Sequence, residues 1–538
     1  MKRSNLFLLG IVAILSLTGC SGGADTTSES GDLDELPLEL DKATDYVYDN
    51  NVSNENGSMS YEIFVRSFYD SNNDGIGDLN GVKAKIPYLS DLGIKTVWLM
   101  PINPSPSYHG YDITNYYDIE PDYGTLADFD ALVAEANRYN IDIMIDMVLN
   151  HCSINHAWFQ ESYQDYLNNN ESADSKKDWF VWGEGQHYYN GVLYESRFDA
   201  SMPEFNLDNQ AVRDEIENIS KFWINHGVKG FRLDAVLYYY YSNTTKNVSF
   251  LTWLEETCHK YDPNFYMVGE CWQSDVIVNQ YHASKCDSFF RFGQAQGGEM
   301  TIFNFVKGYL NGATFATSIE KNETTIKSRN PDGYSSYFLS NHDQDRCSKN
   351  LDEDQNKLAM SFYGLLPGTP YMYYGEEIQL KGVRKTSPED YSDARRRLPM
   401  IWSKNDKTGE CAFPESNRQD LNNNDQVEDG VYDKLNENFS LIKHYKKIIN
   451  IRNKYPFIKN SKFSSLMPSI DIDERSLMVY KLSLGDDYII VVHNFAYYNM
   501  EFDINASEIL DEVSIDHKIS NLKDGKLRIS SHSTVILH

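Results

Sequence analysis

Short apolar segments alternate with longer segments of helical periodicity over most of the chain. Ile63–Val65, Thr96–Met100 and Ile141–Val148 are the first apolar segments, and amphipathic segments follow the first two, at Val82–Leu92 and Leu126–Tyr139. Short apolar runs are typical of buried strands, and apolar residues spaced three to four apart are typical of helices. The alternation predicts parallel strands joined by helices.

The same alternation continues through the middle of the chain. Further strands are predicted near Gly230, Tyr266 and Tyr337, a weaker one lies near Ser288–Arg291, and Thr369–Tyr374 ends the series. Together with the first three, these segments make eight strands. Eight such units are typical of a closed parallel barrel, so the sequence predicts an α/β fold, the (β/α)8 TIM barrel.

About 55 residues after His151 break the alternation. Residues 152–206 are rich in Trp, Tyr, Asn and Gly and lack a regular period. They predict an irregular subdomain, subdomain B, inserted after the third strand. The barrel is therefore expected to comprise residues 57–151 and 207–455.

The pattern changes again after Pro456. Short alternating segments follow at Leu477–Leu482, Tyr488–Asn494 and Val535–Leu537. Such alternation is typical of strands with one buried face. Residues 456–538 are therefore predicted to form a C-terminal antiparallel β-sandwich.

The chain begins with a basic segment and then an apolar one. Met1–Arg3 is basic, Leu6–Leu17 is too short to span a bilayer as a mature helix, and Leu17–Cys20 follows. This order resembles a bacterial lipoprotein signal, which implies removal of residues 1–19 and lipid on the Cys20 thiol. An ordinary secretory signal is the alternative, and either signal implies export.

The segment after the signal, residues 20–56, is rich in Ser, Gly and acidic residues and has little apolar pattern. This composition predicts a flexible tether. We therefore expect a protein that is exported and lipid-anchored on the bacterial cell surface. It would meet the membrane only through the lipid on Cys20.

The net charge and the cysteine spacing argue against two kinds of ligand, nucleic acids and zinc. The chain carries 79 Asp and Glu against 49 Lys and Arg, a formal net charge of −30, so a nucleic acid would be repelled. The cysteines after Cys20 form no CxxC pair, which argues against a zinc site. The sequence leaves the oligomeric state open.

Three carboxylates each follow a predicted strand. Asp234 ends the segment that begins at Val228, Glu270 ends Phe265–Glu270, and Asp343 ends Tyr337–Asp343. Carboxylates at the C-terminal ends of barrel strands point into the site where such barrels do their chemistry. One such residue alone is as typical of a turn or a helix N-cap, but three together indicate the acid, base and charge-stabilising roles of glycosidic bond cleavage.

Several separated motifs carry a family resemblance. In order along the chain they are Asp146–His151, Gly230–Asp234, Val268–Glu270, Leu339–Asp343, Gly368–Pro370 and Tyr374–Glu377. With these motifs the chain resembles the α-amylase family, glycoside hydrolase family thirteen, from about residue 60 to the C-terminus.

The resemblance implies a role for each carboxylate. Asp234 would be the nucleophile, and Arg232, on the same face of the strand, is expected to favour its charged form. Glu270 would be the general acid/base with a raised pKa, and Asp343 would bind sugar hydroxyls and support the oxocarbenium-like transition state. The family retains anomeric configuration, so the two reacting carboxyl groups are expected to lie about 5–5.5 Å apart.

The resemblance also implies substrate-binding residues. His151 and His342 would donate hydrogen bonds to hydroxyls of the sugar that is cleaved, Tyr111 would stack under that sugar, and His109 would contact the same ring. A structural histidine is the alternative for each imidazole. Asn150 often supports a calcium ion in the family, but its partners cannot be identified from the sequence.

A loop rich in oxygen ligands follows the first predicted strand. Oxygen ligands at alternating positions, with Gly75 at the turn, can surround a hard cation. The expected ligands are Asp70, Asn72, Asp74, the Ile76 carbonyl and Asp78. The twelfth position is Gly81 where an EF-hand needs Glu, so this is no EF-hand. The loop resembles a calcium loop of the family and implies structural Ca²⁺; a polar turn without metal is the alternative.

The specificity is predicted from one position. Exo-acting relatives carry Asp three residues before the stacking tyrosine, paired with an arginine; here Tyr108 stands there, although the Arg397 segment is kept. This favours endo-acting cleavage of α-1,4 bonds in starch and maltooligosaccharides. Leu237 and Tyr238 replace the usual Lys-His and leave open a cyclomaltodextrinase, neopullulanase-like or α-glucosidase activity with transglycosylation. A non-catalytic glucan-binding surface protein is disfavoured, because no catalytic carboxylate is missing.

Overall fold

The computed structural model describes residues 36–37, 59–295, 298–384, 392–413, 426–470 and 474–538. The signal peptide, Cys20 and all but two residues of the tether lie outside this part of the chain, so those expectations stay predictions. Within it, no helix is both long and apolar enough to cross a membrane.

Ten strands form the N-terminal part. They are Ser60–Ile63 (β1), Thr96–Leu99 (β2), Asp142–Met147 (β3), Trp182–Tyr189 (β4), Val192–Tyr194 (β5), Gly230–Leu233 (β6), Tyr266–Gly269 (β7), Ser288–Phe290 (β8), Tyr334–Ser336 (β9) and Tyr371–Tyr373 (β10). Eight of them pair in parallel in the order β10-β1-β2-β3-β6-β7-β8-β9. The other two, β4 and β5, form an antiparallel hairpin.

Two backbone hydrogen bonds close the barrel between β10 and β9, the two ends of this strand order. Thr369 N–H donates to the Ser335 carbonyl at 3.0 Å, and Tyr371 N–H donates to the Tyr337 carbonyl at 2.7 Å. Gly368, at φ +86°, permits this approach, because a Cβ there would lie 2.0 Å from the Ser335 carbonyl oxygen. The predicted (β/α)8 barrel is confirmed.

Helices alternate with the strands along the chain. They are Leu79–Leu92 (α1), Leu126–Arg138 (α2), Ala157–Leu167 (α3), Gln210–Asn225 (α4), Thr244–His259 (α5), Asp275–Tyr281 (α6), Phe292–Ala295 (α7), Ile302–Val306 (α8), Gly312–Arg329 (α9), Glu353–Tyr363 (α10), Val431–Asn436 (α11) and Leu441–Lys454 (α12). Short polar residues begin several of them: Thr125 caps α2 in a capping box, and Asn209 caps α4.

The C-terminal part is built from antiparallel strands. They are Lys462–Ser465 (β11), Leu477–Leu484 (β12), Asp487–Asn494 (β13), Met500–Asp503 (β14), Ile509–Ser514 (β15), Asn521–Lys523 (β16), Lys526–Ile529 (β17) and Ser533–Leu537 (β18). Five strands form one sheet, β11-β12-β13-β18-β15, and three form another, β14-β17-β16. This confirms the predicted antiparallel C-terminal region, while the domain boundaries stay predictions.

Two barrel strands lie earlier in the sequence than their pattern indicated. The apolar run Ile63–Val65 continues past β1 into a one-turn 3₁₀ helix, Val65–Ser67, because β1 pairs with its neighbours only over Ser60–Ile63. The segment after Tyr337 likewise follows β9 as a buried loop. Apolar residues at the barrel mouth are buried by the loops above it, so hydrophobicity alone does not mark where pairing stops.

Candidate active site

The centre of the site is the Arg232 guanidinium, which is 1% exposed. Arg232 lies on β6 two residues before Asp234, so both side chains face the same side. Its Nη1 lies 2.8 Å from an Asp234 oxygen and 2.9 Å from an Asp146 oxygen, and its Nη2 lies 3.0 Å from a Glu270 oxygen. Asp234 and Glu270 therefore share one buried cation, which neutralises part of their mutual repulsion.

Asp343 joins the same network through Tyr111 and His342. The Tyr111 hydroxyl lies 2.6 Å from His342 Nε2, and that nitrogen lies 3.0 Å from an Asp343 oxygen. Arg232 Nη1 donates to the Tyr111 hydroxyl at 3.3 Å. Arg397 Nη2 lies 3.0 Å from the other Asp343 oxygen. The structure thus brings the three carboxylates singled out from the sequence into one network at the barrel mouth.

Burial shifts the pKa values of Asp234 and Glu270 away from those of free carboxyl groups. Burial raises the pKa of Asp234 to about 6, although Arg232 acts in the opposite direction. The sequence led us to expect that Arg232 would favour the charged form of Asp234, but the effect of burial is larger. Burial also raises the pKa of Glu270 to about 7, with Asp234 and Asp343 adding to the effect and Arg232 opposing it. In this buried pair the pKa of Glu270 is the higher, so the arrangement favours an ionised Asp234 beside a protonated Glu270, which is what a nucleophile and a general acid require.

The third carboxylate is held in its charged form. Burial would raise the pKa of Asp343, but the charge and hydrogen bond of His342 hold it well below its usual range, and Arg397 acts in the same direction. Burial likewise lowers the pKa of His342, but Asp343 and Glu62 outweigh it and raise that pKa to about 9. An ionised Asp343 can stabilise positive charge that develops on a bound sugar.

The other predicted substrate residues line the same mouth. The Tyr111 ring stacks on the His342 ring, with centroids 5.7 Å apart, and lies 6.0 Å from the His109 ring. His109 Nδ1 accepts the Tyr111 backbone N–H at 3.1 Å. His151 is buried, and its Nε2 has no hydrogen-bond partner among the described residues. Burial lowers the pKa of His151 to about 3, so its neutral ring has one nitrogen available to a sugar hydroxyl.

The predicted metal loop is closed by its own hydrogen bonds. Asp70 accepts the N–H groups of Asn73 and Gly75, each at 2.7 Å, and Asp78 accepts that of Gly81 at 2.7 Å as the N-cap of α1. The candidate metal ligands of this loop are all oxygen atoms, which fits a hard cation such as Ca²⁺. Across the described residues no group of three or more His, Cys, Asp and Glu side chains is arranged to hold a metal ion. Calcium therefore stays a prediction.

Three residues of the network had no assigned contact in the sequence-based interpretation. Asp146 pairs with Arg232, Glu62 contacts His342, and Arg397 pairs with Asp343. Arg397 was expected to lack the acidic partner found in exo-acting relatives, and the structure shows that Asp343 pairs with it instead. A charged residue inside the fully buried strand β1 was the one available signal for Glu62.

The cysteines in the described residues take no part in this chemistry. They are free and buried, at positions Cys152, Cys258, Cys271, Cys286, Cys347 and Cys411. Cys152 and Cys271 directly follow His151 and Glu270 and pack in the hydrophobic core. Burial raises the pKa of the Cys271 thiol to about 12, which makes it a poor nucleophile.

Comparison with known proteins agrees with this geometry. The family described as "Alpha amylase, catalytic domain" matches residues 62–461. Alpha-amylase 3 of Dictyoglomus thermophilum is 34% identical over 91% of this chain and 95% of its own length. Oligo-1,6-glucosidase of Parageobacillus thermoglucosidasius is 28% identical over 82% of this chain and 90% of its own length.

A solved structure has the same fold. The structure of Eubacterium rectale Amy13B superimposes with a TM-score of 0.84 and 31% identity, covering 93% of this chain and 99% of that one. The family match spans the strands that carry Asp234, Glu270 and Asp343. The chain therefore belongs to the α-amylase family and is a glycoside hydrolase that acts on α-glucans.

Proposed function

We propose that this enzyme hydrolyses internal α-1,4 bonds of starch and maltooligosaccharides with retention of configuration, as an exported protein anchored by lipid on Cys20. The observation that carries the hydrolytic mechanism is the pair Asp234 and Glu270 on opposite nitrogens of Arg232, where burial raises the pKa of both carboxyl groups. The Leu17–Cys20 pattern supports the anchor.

In the first step of this mechanism, Glu270 gives its proton to the glycosidic oxygen as the bond from that oxygen to C1 breaks. An Asp234 oxygen forms a bond to C1, so the sugar becomes covalently attached. In the second step a water molecule gives a proton to Glu270 and its oxygen to C1, and the bond to Asp234 breaks. Both carboxyl groups return to their starting state, and Asp343 with His342 hold the sugar through both steps.

Endo-acting cleavage is supported by the donor side of the pocket. The Tyr108 ring packs against Phe64 with centroids 5.2 Å apart, and the Arg397 guanidinium is held by Asp343 and by the His342 carbonyl. Tyr108 therefore occupies the position of the aspartate that closes the pocket in exo-acting relatives, and Arg397 pairs with Asp343 instead. A glucan chain extending beyond the cleaved sugar would meet Tyr108 rather than an ion pair.

The product profile on amylose tests this proposal. Early samples are expected to contain mixed maltooligosaccharides, and iodine staining is expected to fall before reducing ends accumulate, because internal cuts shorten chains quickly. The variant Tyr108→Asp, which restores an acidic residue near Arg397, is the matched comparison and is expected to shift products toward glucose. Glucose as the sole early product of the natural enzyme would overturn endo action.

A second candidate is an α-glucosidase or a cyclomaltodextrinase or neopullulanase-like enzyme with transglycosylation. It is favoured by the relative named oligo-1,6-glucosidase and by Leu237 and Tyr238 at positions where many α-amylases carry Lys-His. Panose from pullulan, or rapid opening of cyclodextrins, would favour this candidate over starch hydrolysis. Both candidates use the same three carboxylates.

Structural calcium in the loop from Asp70 to Asp78 is part of the proposal. Removing it with EGTA is expected to lower Tm by roughly 5 °C, because a ligand bound only by the folded state stabilises that state. Differential scanning fluorimetry with and without added Ca²⁺ measures the shift. The variant Asp74→Asn is expected to lose the response, whereas Asp214→Asn, an exposed change on α4, should keep it. A Tm that ignores both EGTA and Ca²⁺ would contradict a calcium site.

A further inference from the structure

A buried carboxyl group that the mechanism above does not use lies directly behind His342. Glu62 is on β1 and is 1% exposed, and its Oε1 lies 2.6 Å from His342 Nδ1. The same oxygen accepts the His342 backbone N–H at 3.3 Å. These residues are 280 positions apart and meet because β1 lies beside β10, near the loop that carries His342. Among the described residues of the catalytic network, His342 is the one that Glu62 contacts.

The hydrogen-bond partners of the His342 ring are compatible with one protonation state, in which both ring nitrogens carry a hydrogen. Nδ1 faces the Glu62 carboxyl group, and Nε2 faces an Asp343 oxygen at 3.0 Å. The Tyr111 hydroxyl donates to Asp146 at 3.0 Å, so its oxygen accepts from His342 Nε2 at 2.6 Å. Each ring nitrogen therefore needs its own hydrogen, because every neighbour of the ring edge accepts.

We propose that Glu62 is a positioning residue that keeps His342 as a doubly protonated imidazolium, so that its Nε2–H donates a charged hydrogen bond to Asp343 and the Tyr111 hydroxyl beside the sugar site. A charged donor binds an oxygen more strongly than a neutral one. The cation also offsets the negative charge of Asp343 in a buried site. This inference rests on the proposed glucan hydrolysis for its kinetic readout.

Other charges around the ring act together with Glu62. Asp343 lies on the same loop, Asp146 on β3 reaches the ring through Tyr111, and the cations Arg232 and Arg397 come from β6 and from the segment beyond β10. The two arginines oppose a third positive charge, and burial opposes it too. Glu62 is the carboxyl group that faces Nδ1, and the pKa of about 9 for His342 agrees with this geometry.

The test is the pH dependence of the isosteric variant Glu62→Gln. The new amide oxygen can still accept from Nδ1, so the fold is kept, but the negative charge is lost. If the pKa of His342 then returns toward its ordinary value of about 6.5, the ratio of natural to variant kcat/KM is expected to rise from about 1 at pH 5 to about 30 at pH 8. A merely structural role would lower activity by the same factor at every pH.

The variant Glu377→Gln is the matched control. Glu377 is also buried, in the segment after β10, but its carboxyl group accepts from the hydroxyls of Tyr61 on β1 and Tyr88 on α1, each at 2.6 Å, rather than from His342. Its activity ratio to the natural enzyme is expected to be independent of pH. A ratio for Glu62→Gln that is equally flat between pH 5 and pH 8 would overturn the proposal.

A measurement on the unmodified enzyme needs no substrate. In protein labelled with ¹⁵N-histidine, both ring nitrogens of His342 are expected to show the protonated chemical shift at pH 7.5, with the signal assigned by its absence in His342→Gln. A neutral tautomer at that pH would overturn the proposal even if Glu62→Gln failed to fold. An enzyme inactive on glucans would instead overturn the proposed function and leave this spectrum interpretable.

Discussion

Asp234→Asn is expected to lower kcat on maltooligosaccharides by about 10⁴-fold or more, because an amide cannot form the bond to C1 that replaces the glycosidic bond. The carboxamide has the same shape as the carboxylate, and Arg232 keeps its contacts with Asp146 and Glu270. We therefore expect the circular dichroism spectrum to be unchanged and Tm to move by only a few degrees. Initial rates on maltoheptaose, followed by reducing ends, measure the loss.

The matched control is the same substitution at the opposite end of the barrel. Asp287 directly precedes β8 and accepts the Met267 backbone N–H at 2.8 Å, so Asp287→Asn changes stability rather than chemistry. Its kcat is expected to stay within about 10-fold of the natural enzyme. If Asp234→Asn kept more than a hundredth of the activity, Asp234 could not be the nucleophile.

Glu270→Gln is expected to lower kcat on maltooligosaccharides by about 10³-fold, because a sugar leaving group needs a proton as it departs. The loss is expected to be far smaller for formation of the covalent intermediate from α-maltosyl fluoride, since fluoride leaves without protonation. Comparing the initial rate on maltooligosaccharides with the first-turnover release of fluoride, before the second step limits the rate, separates the acid from a general structural effect. Equal losses on both would contradict the assignment.

The pH profile provides a second check on the same residue. The pKa of Glu270 is raised to about 7, so the protonated, active form is lost as the pH rises through that value, and activity is expected to fall on the alkaline side. On the acid side, activity is expected to fall as Asp234 becomes protonated near pH 6. The alkaline decline near pH 7 should disappear in Glu270→Gln when fluoride release is followed.

Local patterns in the sequence were sufficient to predict the barrel and to place two of the predicted catalytic carboxylates at strand ends. Most strands coincide with a short apolar run, although β1 and β9 precede theirs. Asp234 and Glu270 directly follow β6 and β7, so the ends of these two strands could be found without knowledge of the fold. The parallel arrangement then places those ends together. Arg232 could be assigned to the same face as Asp234 because side chains alternate along a strand.

The partners of His342 and Asp343 could not be found in this way. Glu62 is 280 residues from His342, and Arg397 is 54 residues from Asp343, so both pairs depend on closure of the barrel and on how its loops fold over it. The direction in which the pKa of Asp234 shifts also could not be predicted from the sequence. Burial has a larger effect on that pKa than the adjacent arginine, and burial is a property of the whole fold. A charged residue within β1 marks Glu62 as unusual, but nothing in the local sequence identifies its distant partner.

The covalent step can be observed directly. In Glu270→Gln supplied with α-maltosyl fluoride, the first step is expected to proceed while the second lacks its base, so the glycosyl-enzyme should accumulate. Peptide mass spectrometry after acid quenching is expected to find one maltosyl group, and to find it on Asp234. Fluoride release with the sugar attached to a different carboxyl group, or to none at any time point, would contradict the arrangement of three carboxylates around one sugar.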